Sequence, residues 1–430
     1  MQNTDKLLDL VFSDMKIWED AINDGKEKGI KKHILVNYSD PNYRDKIKEK
    51  IRNHKYHVQP PHEAQIPKDD GTMRTVYANE GQDRVLLTVI NNIFFKYCKH
   101  MIHKSCMSYQ SGIGCGKIDR QVVRDISAIN TKNLSKLGYK IDLSKYFDSV
   151  PLQYIDEVFD AIEKQFGKSA IMDMVREYYH DDVLLDMQRN EIHKYTSLRQ
   201  GCAIAAFLAD AVLYDVDETM SKYNVIYYRY SDDILILGEN ADNAFEKISK
   251  MLEDKSLKLN PKKVETLDSN HWFTFLGFSI KGTTITLSKK RINNLQRTLE
   301  DMLFKSRKPL SLTTAMHKVY RYLYDTSITK YGYAEGILPI INCESDIEEL
   351  NNYIMDAIRA SNTGRKKIGG LGYNKQGSNG VIVRGKGRNV KENKMKIKNL
   401  PNYVPISYMQ ILFNSDRDVY NAYVNDMLCS

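Results

Sequence analysis

Two adjacent carboxylates, Asp232 and Asp233, stand in Tyr230-Ser231-Asp232-Asp233 between apolar runs at residues 225–230 and 234–237. These runs, rich in β-branched, aromatic and aliphatic residues, read as strands joined by a tight turn that holds Ser231, Asp232 and Asp233. Neighbouring acids at the tip of buried strands repel each other and are costly to desolvate, so folding alone does not put them there. A divalent cation resolves the conflict, and magnesium, a hard ion that takes carboxylate and phosphate oxygens, suits the donors. A pair of ions about 3.5–4 Å apart activates an attacking hydroxyl and stabilises a leaving phosphate, but it needs an acid from a second strand. Asp142 supplies it at the end of the strand Tyr139-Lys140-Ile141-Asp142, and Leu143 follows with a backbone carbonyl for one ion. Asp148, just before Val150-Pro151, is expected to cap or hydrogen-bond near the next helix.

The elements that must position these acids are legible around them. Pro151 opens a helix carrying Ile155, Val158, Phe159 and Ile162. A second helix is expected over 203–222, a third carries Phe245, Ile248, Met251 and Leu252, and a further strand is expected before Asn260-Pro261. Strand, helices, hairpin, helix, strand over 138–282 predicts an antiparallel sheet with helices on one face, a ferredoxin-like α+β unit. Upstream, residues 1–60 read as helical, polar and basic, and Asp70-Gly71 reads as a hairpin turn between two short strands. Apolar residues from Val85 to Tyr97 then predict a helix ending near His103. Downstream, Ile292, Leu295, Leu299 and Leu303 share a helix face beside Lys289, Lys290, Arg291 and Arg297; this is a duplex-binding element or a plain surface helix.

The chain's 42% hydrophobic and 27% charged residues describe an ordinary folded protein. Its net charge of +8 favours a polyanionic partner. The excess concentrates in a glycine-rich segment, 364–398, where Glu392 is the only acid and Arg384, Lys386 and Arg388 stand close together. That density suits nucleic-acid phosphates, against the plainer reading of a solvated loop. Six cysteines without a secretory signal argue against a disulfide framework, and Cys98, His100, His103 and Cys106 lack the paired spacing of structural zinc sites. With no apolar run of about 18 residues and no signal peptide, no membrane role and a cytoplasmic location are expected.

In order along the chain, these residues resemble the motifs of the reverse transcriptase family. They are Ile66-Pro67-Lys68 with Arg74; Lys140-Ile141-Asp142 through Phe147-Asp148; Leu198-Arg199-Gln200-Gly201; Tyr230 to Asp233; Leu259-Asn260-Pro261-Lys262-Lys263; and Phe275-Leu276-Gly277-Phe278. The resemblance implies a right-hand polymerase of class α+β. Its parts would be an N-terminal region over 1–60, fingers over 61–137, a ferredoxin-like palm over 138–282 with fingers insertions around 165–200, a helical thumb over 283–345 and an extension over 346–430. It implies an RNA-directed DNA polymerase with two Mg2+ ions, replaceable by Mn2+, on Asp142, Leu143, Asp232 and Asp233. Lys68 and Arg74 would neutralise the incoming deoxynucleoside triphosphate. Phe147 looks like the gate that excludes a 2′-hydroxyl, although an aromatic here also serves as plain core. Gln200, Gly201 and Tyr230 would line the nucleotide pocket, and Phe275, Leu276 and Gly277 would grip the primer. Lys263 resembles the general acid for pyrophosphate, with neighbouring Lys262 leaving the register open.

Departures narrow the resemblance. Residues 108–117 replace the Arg-Pro-Gly-rich stretch usual in intron-encoded relatives, and Ile118 stands where a phosphate-binding loop needs Ser or Thr, so they are not a Walker site. No Cys-His endonuclease region or ribonuclease H acid cluster follows. The outline resembles retron and defence-associated reverse transcriptases, which implies a dedicated structured non-coding RNA as template and scaffold, a DNA product and an antiviral role. Arg384, Lys386 and Arg388 are then assigned to RNA phosphates. The intact acid set argues against a non-synthetic, maturase-like scaffold, and Phe147 argues against an RNA-dependent RNA polymerase. Protein-primed or untemplated synthesis stays open among 28 tyrosines, as does the oligomeric state.

Overall fold

A computed structural model of the chain describes residues 5–67, 72–109, 122–128, 137–195, 197–305, 308–326, 333–363, 400 and 402–429. The chain divides into two units, one spanning 1–112 and 138–266, the other 113–137 and 267–430. The fold class is α+β, as expected.

In the first unit the strands are β1 (His62–Pro67), β2 (Met73–Ala78), β3 (Gly138–Asp142), β4 (Val183–Leu185), β5 (Glu191–His193), β6 (Ile226–Tyr230), β7 (Asp233–Leu237) and β8 (Glu265–Leu267). β6, β7, β3 and β8 form one sheet in the order β6-β7-β3-β8, with β3 and β6 each antiparallel to β7. Counted along the chain, these strands stand 2-3-1-4 across the sheet, the order of the ferredoxin-like unit that the sequence predicts. The helix Leu152–Phe166 lies in the first connection and the helix Ala241–Asp254 in the second, where it packs on β3 and β7.

Three local expectations are corrected here. The helix expected over 203–222 is two, Ala205–Ala211 and Tyr214–Ser221. The carbonyls that would continue it are taken from outside: Tyr146 Oη and Arg229 Nη1 donate to Ala209 O at 2.7 and 3.3 Å, and Arg229 Nη2 donates to Asp210 O at 2.7 Å. The strand expected before Asn260-Pro261 follows it instead, as β8, because Asn260 caps a short 3-10 turn at Pro261–Lys263 through the Lys262 amide. Asp148 lies within the short helix Tyr146–Ser149 and does not cap the next helix, whose N-cap is Pro151 with no side-chain cap.

β1 and β2 are antiparallel in the register Pro67↔Met73, and β4 and β5 extend them into a sheet ordered β2-β1-β4-β5. The expected turn at Asp70-Gly71 and the side chain of Lys68 lie outside the described residues. The N-terminal region folds as four helices, Lys6–Ser13, Met15–Glu27, Lys32–Ser39 and Pro41–Arg52. Asp5, Asp14 and Asp40 cap three of them, and Pro41 presets the first turn of the last. They are less polar than their composition implies, since Leu7, Leu8, Val11 and Trp18 join the same core as β3 and β7. The helix expected to reach His103 is Gly81–Tyr97; Cys98 leaves helical geometry at φ −112° and a 3-10 turn follows.

In the second unit, β9 (Phe273–Phe275), β10 (Phe278–Lys281) and β11 (Thr284–Leu287) form an antiparallel sheet, followed by the helix Lys289–Phe304 with Ile292, Leu295, Leu299 and Leu303 buried. No helix among the described residues is long and apolar enough to cross a membrane.

Gly138 begins β3 at φ 150°, and an added Cβ would lie 2.0 Å from the Ile236 carbonyl oxygen. Gly167, at φ 87°, has open space around it. Gly138→Ala is therefore expected to cost about 2–4 kcal/mol of stability and Gly167→Ala only about 1–2 kcal/mol. Denaturant unfolding of both variants checks this; equal losses would mean that backbone angle rather than the clash dominates.

Candidate active site

The hairpin turn is tighter than the sequence suggests: Tyr230 pairs with Asp233, so Asp233 is the first residue of β7 and only Ser231 and Asp232 turn. Ser231 takes a left-handed φ of 57°, which a non-glycine residue adopts at a cost. β3 lies on the other side of β7 in a register that sets Asp142 directly opposite Asp233. The Leu143 amide donates to the Asp232 carbonyl at 3.2 Å, tying the turn to the end of β3. Two carboxylates on paired strands, Asp142 and Asp233, and a third on the turn, Asp232, thus lie at one end of the sheet.

Asp142 is buried, and Asp232 and Asp233 are half-buried. Burial pushes Asp233 up to about 6, with repulsion from Asp232 next in importance. Burial also raises Asp232, and the charge of Asp142 adds to that. Lys263 is the nearest compensation. Its ammonium donates to Asp142 Oδ2 at 2.6 Å, and its pKa is raised: burial works against the charge, and the hydrogen bond to Asp142 together with the charges of Asp142, Asp233 and Asp232 outweighs it. The register left open between Lys262 and Lys263 is settled in favour of Lys263 facing the acids. Asn260 steadies the same carboxylate, its amide side chain 3.4 Å from Asp142 Oδ1. Lys140 and Arg74 contribute positive charge to Asp233 and Asp232 respectively. The donors are all oxygen and only partly neutralised, the type that hard divalent cations take, although no three acids among the described residues are arranged as a group that could already hold an ion.

The other expected residues fall into separate groups. Phe147 lies on the short helix after Asp142, with its ring 5.8 Å from Tyr146 and edge-on to it, and is partly buried against the core. Gln200 and Gly201 do not begin a helix; they form a turn ahead of Ala205 and lie against β2, where the Gln200 carbonyl accepts the Tyr77 amide at 2.7 Å. Gly201 is required there, because at φ 107° a Cβ would stand 2.9 Å from the Tyr77 carbonyl oxygen. Phe275, Leu276 and Gly277 belong to the second unit, where Leu276 and Gly277 form the β9–β10 turn at φ 49° and 80° and Arg291 donates to the Leu276 carbonyl at 2.9 Å. Arg384, Lys386 and Arg388 lie outside the described residues.

What the sequence reading missed is the cation beneath the turn. Arg229, two residues before Ser231, is fully buried and gives all five of its N–H groups to partners. Nε donates to Asp217 at 2.8 Å, Nη2 to Asp217 at 2.6 Å and to the Asp210 carbonyl, and Nη1 to the carbonyls of Ala209 and Ser231. A signal for it existed. Arg229 shares strand parity with buried Tyr227, and Asp210 and Asp217 lie seven apart, two helical turns on one face, with Asp215 the only charge between them.

As pH falls through about 6, Asp233 takes up a proton and would no longer offer a carboxylate to a cation. Divalent-ion affinity is expected to drop below that pH and to level off above it, as read by Mn2+ titration. The effect on stability has the opposite sign. A carboxyl raised in the folded state holds its proton more tightly than in the unfolded chain, so its contribution is complete below the unfolded value and disappears as pH rises through 6. Metal-free Asp233→Asn should therefore lose less stability than wild type between pH 4 and 7. An identical loss in both would show that Asp233 is not raised.

The model of the family described as reverse transcriptase (RNA-dependent DNA polymerase) matches residues 66–280, half of the chain. Retron Ec48 reverse transcriptase of Escherichia coli is 25% identical over 210 residues, 47% of this chain and 47% of that protein. The Gag-Pro-Pol polyprotein of Simian retrovirus SRV-2 is 29% identical over 177 residues, 38% of this chain and 9% of that protein. The chain thus spans less than half the length of either. Among solved structures, apo telomerase from Candida tropicalis aligns at 14% identity with a TM-score of 0.44, over 72% of this chain and 58% of that one. The matched stretch contains the sheet β6-β7-β3-β8, its three carboxylates and Lys263, and this sheet is the palm of a right-hand polymerase. The chain belongs to the reverse transcriptase (RNA-dependent DNA polymerase) family.

Proposed function

We propose that the chain is an RNA-directed DNA polymerase that adds deoxynucleotides to a primer by a two-metal mechanism. The observation that carries this reading is the strand register that sets Asp142 opposite Asp233, with Asp232 on the adjoining turn and Lys263 on Asp142. Asp142, Asp232 and Asp233 hold two magnesium ions, with the Leu143 carbonyl as a further ligand. When bound, the ions supply activation of the primer 3′-hydroxyl and stabilisation of the leaving pyrophosphate. Lys263, kept protonated at neutral pH by the acids around it, delivers a proton to that pyrophosphate. Arg74, together with Lys68, neutralises the incoming triphosphate. Phe147 closes the space below the sugar to a 2′-hydroxyl, and Tyr230, Gln200 and Gly201 complete the nucleotide pocket. Phe275, Leu276 and Gly277 hold the primer. In this reading β1 and β2 belong to the fingers and the helix Lys289–Phe304 to the thumb.

The template we propose is a dedicated structured non-coding RNA, copied into DNA in the cytoplasm of a bacterium as part of antiviral defence. The likeness to a retron reverse transcriptase supports this, as does the cationic, glycine-rich segment 364–398.

Asp232→Ala or Asp233→Ala is expected to reduce magnesium-dependent incorporation to background while RNA affinity stays near wild type, since each removes a ligand and no phosphate-binding cation. Primer extension and filter binding on the same preparations check both halves. Wild-type synthesis by the double variant would overturn the assignment of the site.

Replacing Arg384, Lys386 and Arg388 together with Ala should weaken binding to structured RNA and flatten its log–log salt dependence by about 2–3 units, because each lost phosphate contact removes roughly 0.7–0.9. Synthesis on saturating primer–template should continue. An unchanged affinity and slope would move RNA binding elsewhere on the protein.

A further inference from the structure

The segment Ser105–Tyr109 lies outside the six motifs named above, yet it is laid along the hairpin that carries Asp232 and Asp233. Arg229 N–H donates to the Ser105 carbonyl and Met107 N–H to the Arg229 carbonyl, both at 2.9 Å, making a parallel bridge at Cys106. The segment thereby delivers Ser108 and Tyr109 to the turn. Ser108 is fully buried. Its hydroxyl donates to Asp210 Oδ1 at 2.5 Å and accepts the Ser231 amide at 2.9 Å. Tyr109 Oη donates to Ser231 Oγ at 3.2 Å, and Arg229 Nη1 donates to the Ser231 carbonyl at 3.2 Å. The amide, the carbonyl and the hydroxyl of Ser231 are therefore each held by a different residue.

Ser231 needs this grip. It is the turn residue with a left-handed φ, a conformation costing an L-residue about 1–2 kcal/mol that a glycine would adopt freely. Its successor is Asp232, whose carbonyl is fixed to Leu143 and whose carboxylate must meet those of Asp142 and Asp233. A turn free to relax toward an ordinary φ would rotate Asp232 away from its partners.

We propose that Ser108 is a positioning residue for the metal site: oriented by Asp210, it holds the Ser231 amide and so keeps Asp232 aligned with Asp142 and Asp233, with Tyr109 giving the same turn a weaker second hold. The proposal rests on the metal-binding role given above to the three carboxylates. It distinguishes position 108, which touches no substrate, from the acids that do the binding, and it makes Asp210 the orienter of Ser108.

The test uses the full chain and two readouts that require no turnover: Mn2+ affinity, followed by loss of the free-ion paramagnetic resonance signal, and hydrogen exchange of the amides in the peptide covering Tyr230–Asp233. Ser108→Ala is expected to weaken Mn2+ binding roughly 3- to 10-fold and to speed exchange at Ser231 by a similar factor, the scale of one lost buried hydrogen bond. Tyr109→Phe should shift both in the same direction by less. Ser231→Gly, which removes the left-handed penalty, should restore most of the Mn2+ affinity when combined with Ser108→Ala; a role confined to general stability predicts no such rescue. Should Ser108→Ala fail to fold, Tyr109→Phe carries the test, since it removes one oxygen from a partly exposed ring. Asp232→Asn separates the two readings. If it leaves Mn2+ binding intact, the metal-site reading itself fails. If it abolishes binding while Ser108→Ala and Tyr109→Phe change neither affinity nor exchange, the positioning role alone is overturned.

Discussion

The hairpin turn that carries Asp232 and Asp233 depends on one buried cation. Arg229 lies in β6 with no exposed surface and would be a severe liability there unless every donor were met. Asp217 meets it in fork geometry and also accepts the Tyr227 hydroxyl at 2.7 Å, so a charge on a helix and a charge on a strand neutralise each other within the core. The remaining donors go to carbonyls at the end of the helix Ala205–Ala211 and to the turn itself. A single guanidinium thus fixes how the two helices before β6 meet, how β6 sits against them and where the turn points. Replacing a buried pair of this kind by apolar residues is often neutral for stability, whereas removing one partner typically costs about 3–5 kcal/mol. What the pair supplies here beyond stability is orientation: a leucine at 229 could fill the space but could not hold the Ser231 carbonyl.

The same interaction explains where the sequence could be read and where it could not. The alternation that marks β3, β6 and β7 is a local property, and the strands fall close to where it puts them, giving the ferredoxin-like order of the palm. Asp142, Asp232 and Asp233 were legible because paired acids at strand ends have no other purpose that folding supports. The single helix expected over 203–222 was wrong because the apolar period continues through Val212 and Leu213 while the hydrogen-bonding does not. Arg229 and Tyr146 compete for its carbonyls from elements that are remote in sequence. Likewise Gln200 and Gly201 carry a recognisable motif, but the partner that explains the glycine is the backbone of Tyr77, over a hundred positions earlier. Tertiary contacts of this kind leave little trace in periodicity.

Lys262 and Lys263 show the same limit at the scale of one residue. Composition cannot choose between them, because both are long and cationic and they follow Pro261 one after the other. The choice is made by the 3-10 turn that Asn260 caps: its geometry brings Lys263 Nζ to Asp142 and gives the Lys262 amide to the Asn260 side chain. Asn260 also donates its own amide to the Asp142 carbonyl at 2.8 Å. One asparagine therefore caps a turn, selects a lysine and steadies a carboxylate.

The site that results is held together against its own electrostatics. Asp233 is driven up to about 6 by burial and by its neighbour, Asp232 is raised as well, and one carboxylate oxygen of Asp142 is committed to Lys263. None of this favours the folded state in the absence of metal, and Ser231 adds backbone strain at the same point. The compensation comes from below, where Asp217, Asp210 and Ser108 satisfy Arg229 or the turn, and from the sheet, whose β3–β7 register leaves the acids no way to separate without unpairing strands. A more relaxed turn would stabilise the fold and scatter the carboxylates. The polar network beneath the hairpin is therefore best understood as what allows an unfavourable cluster of charge to persist.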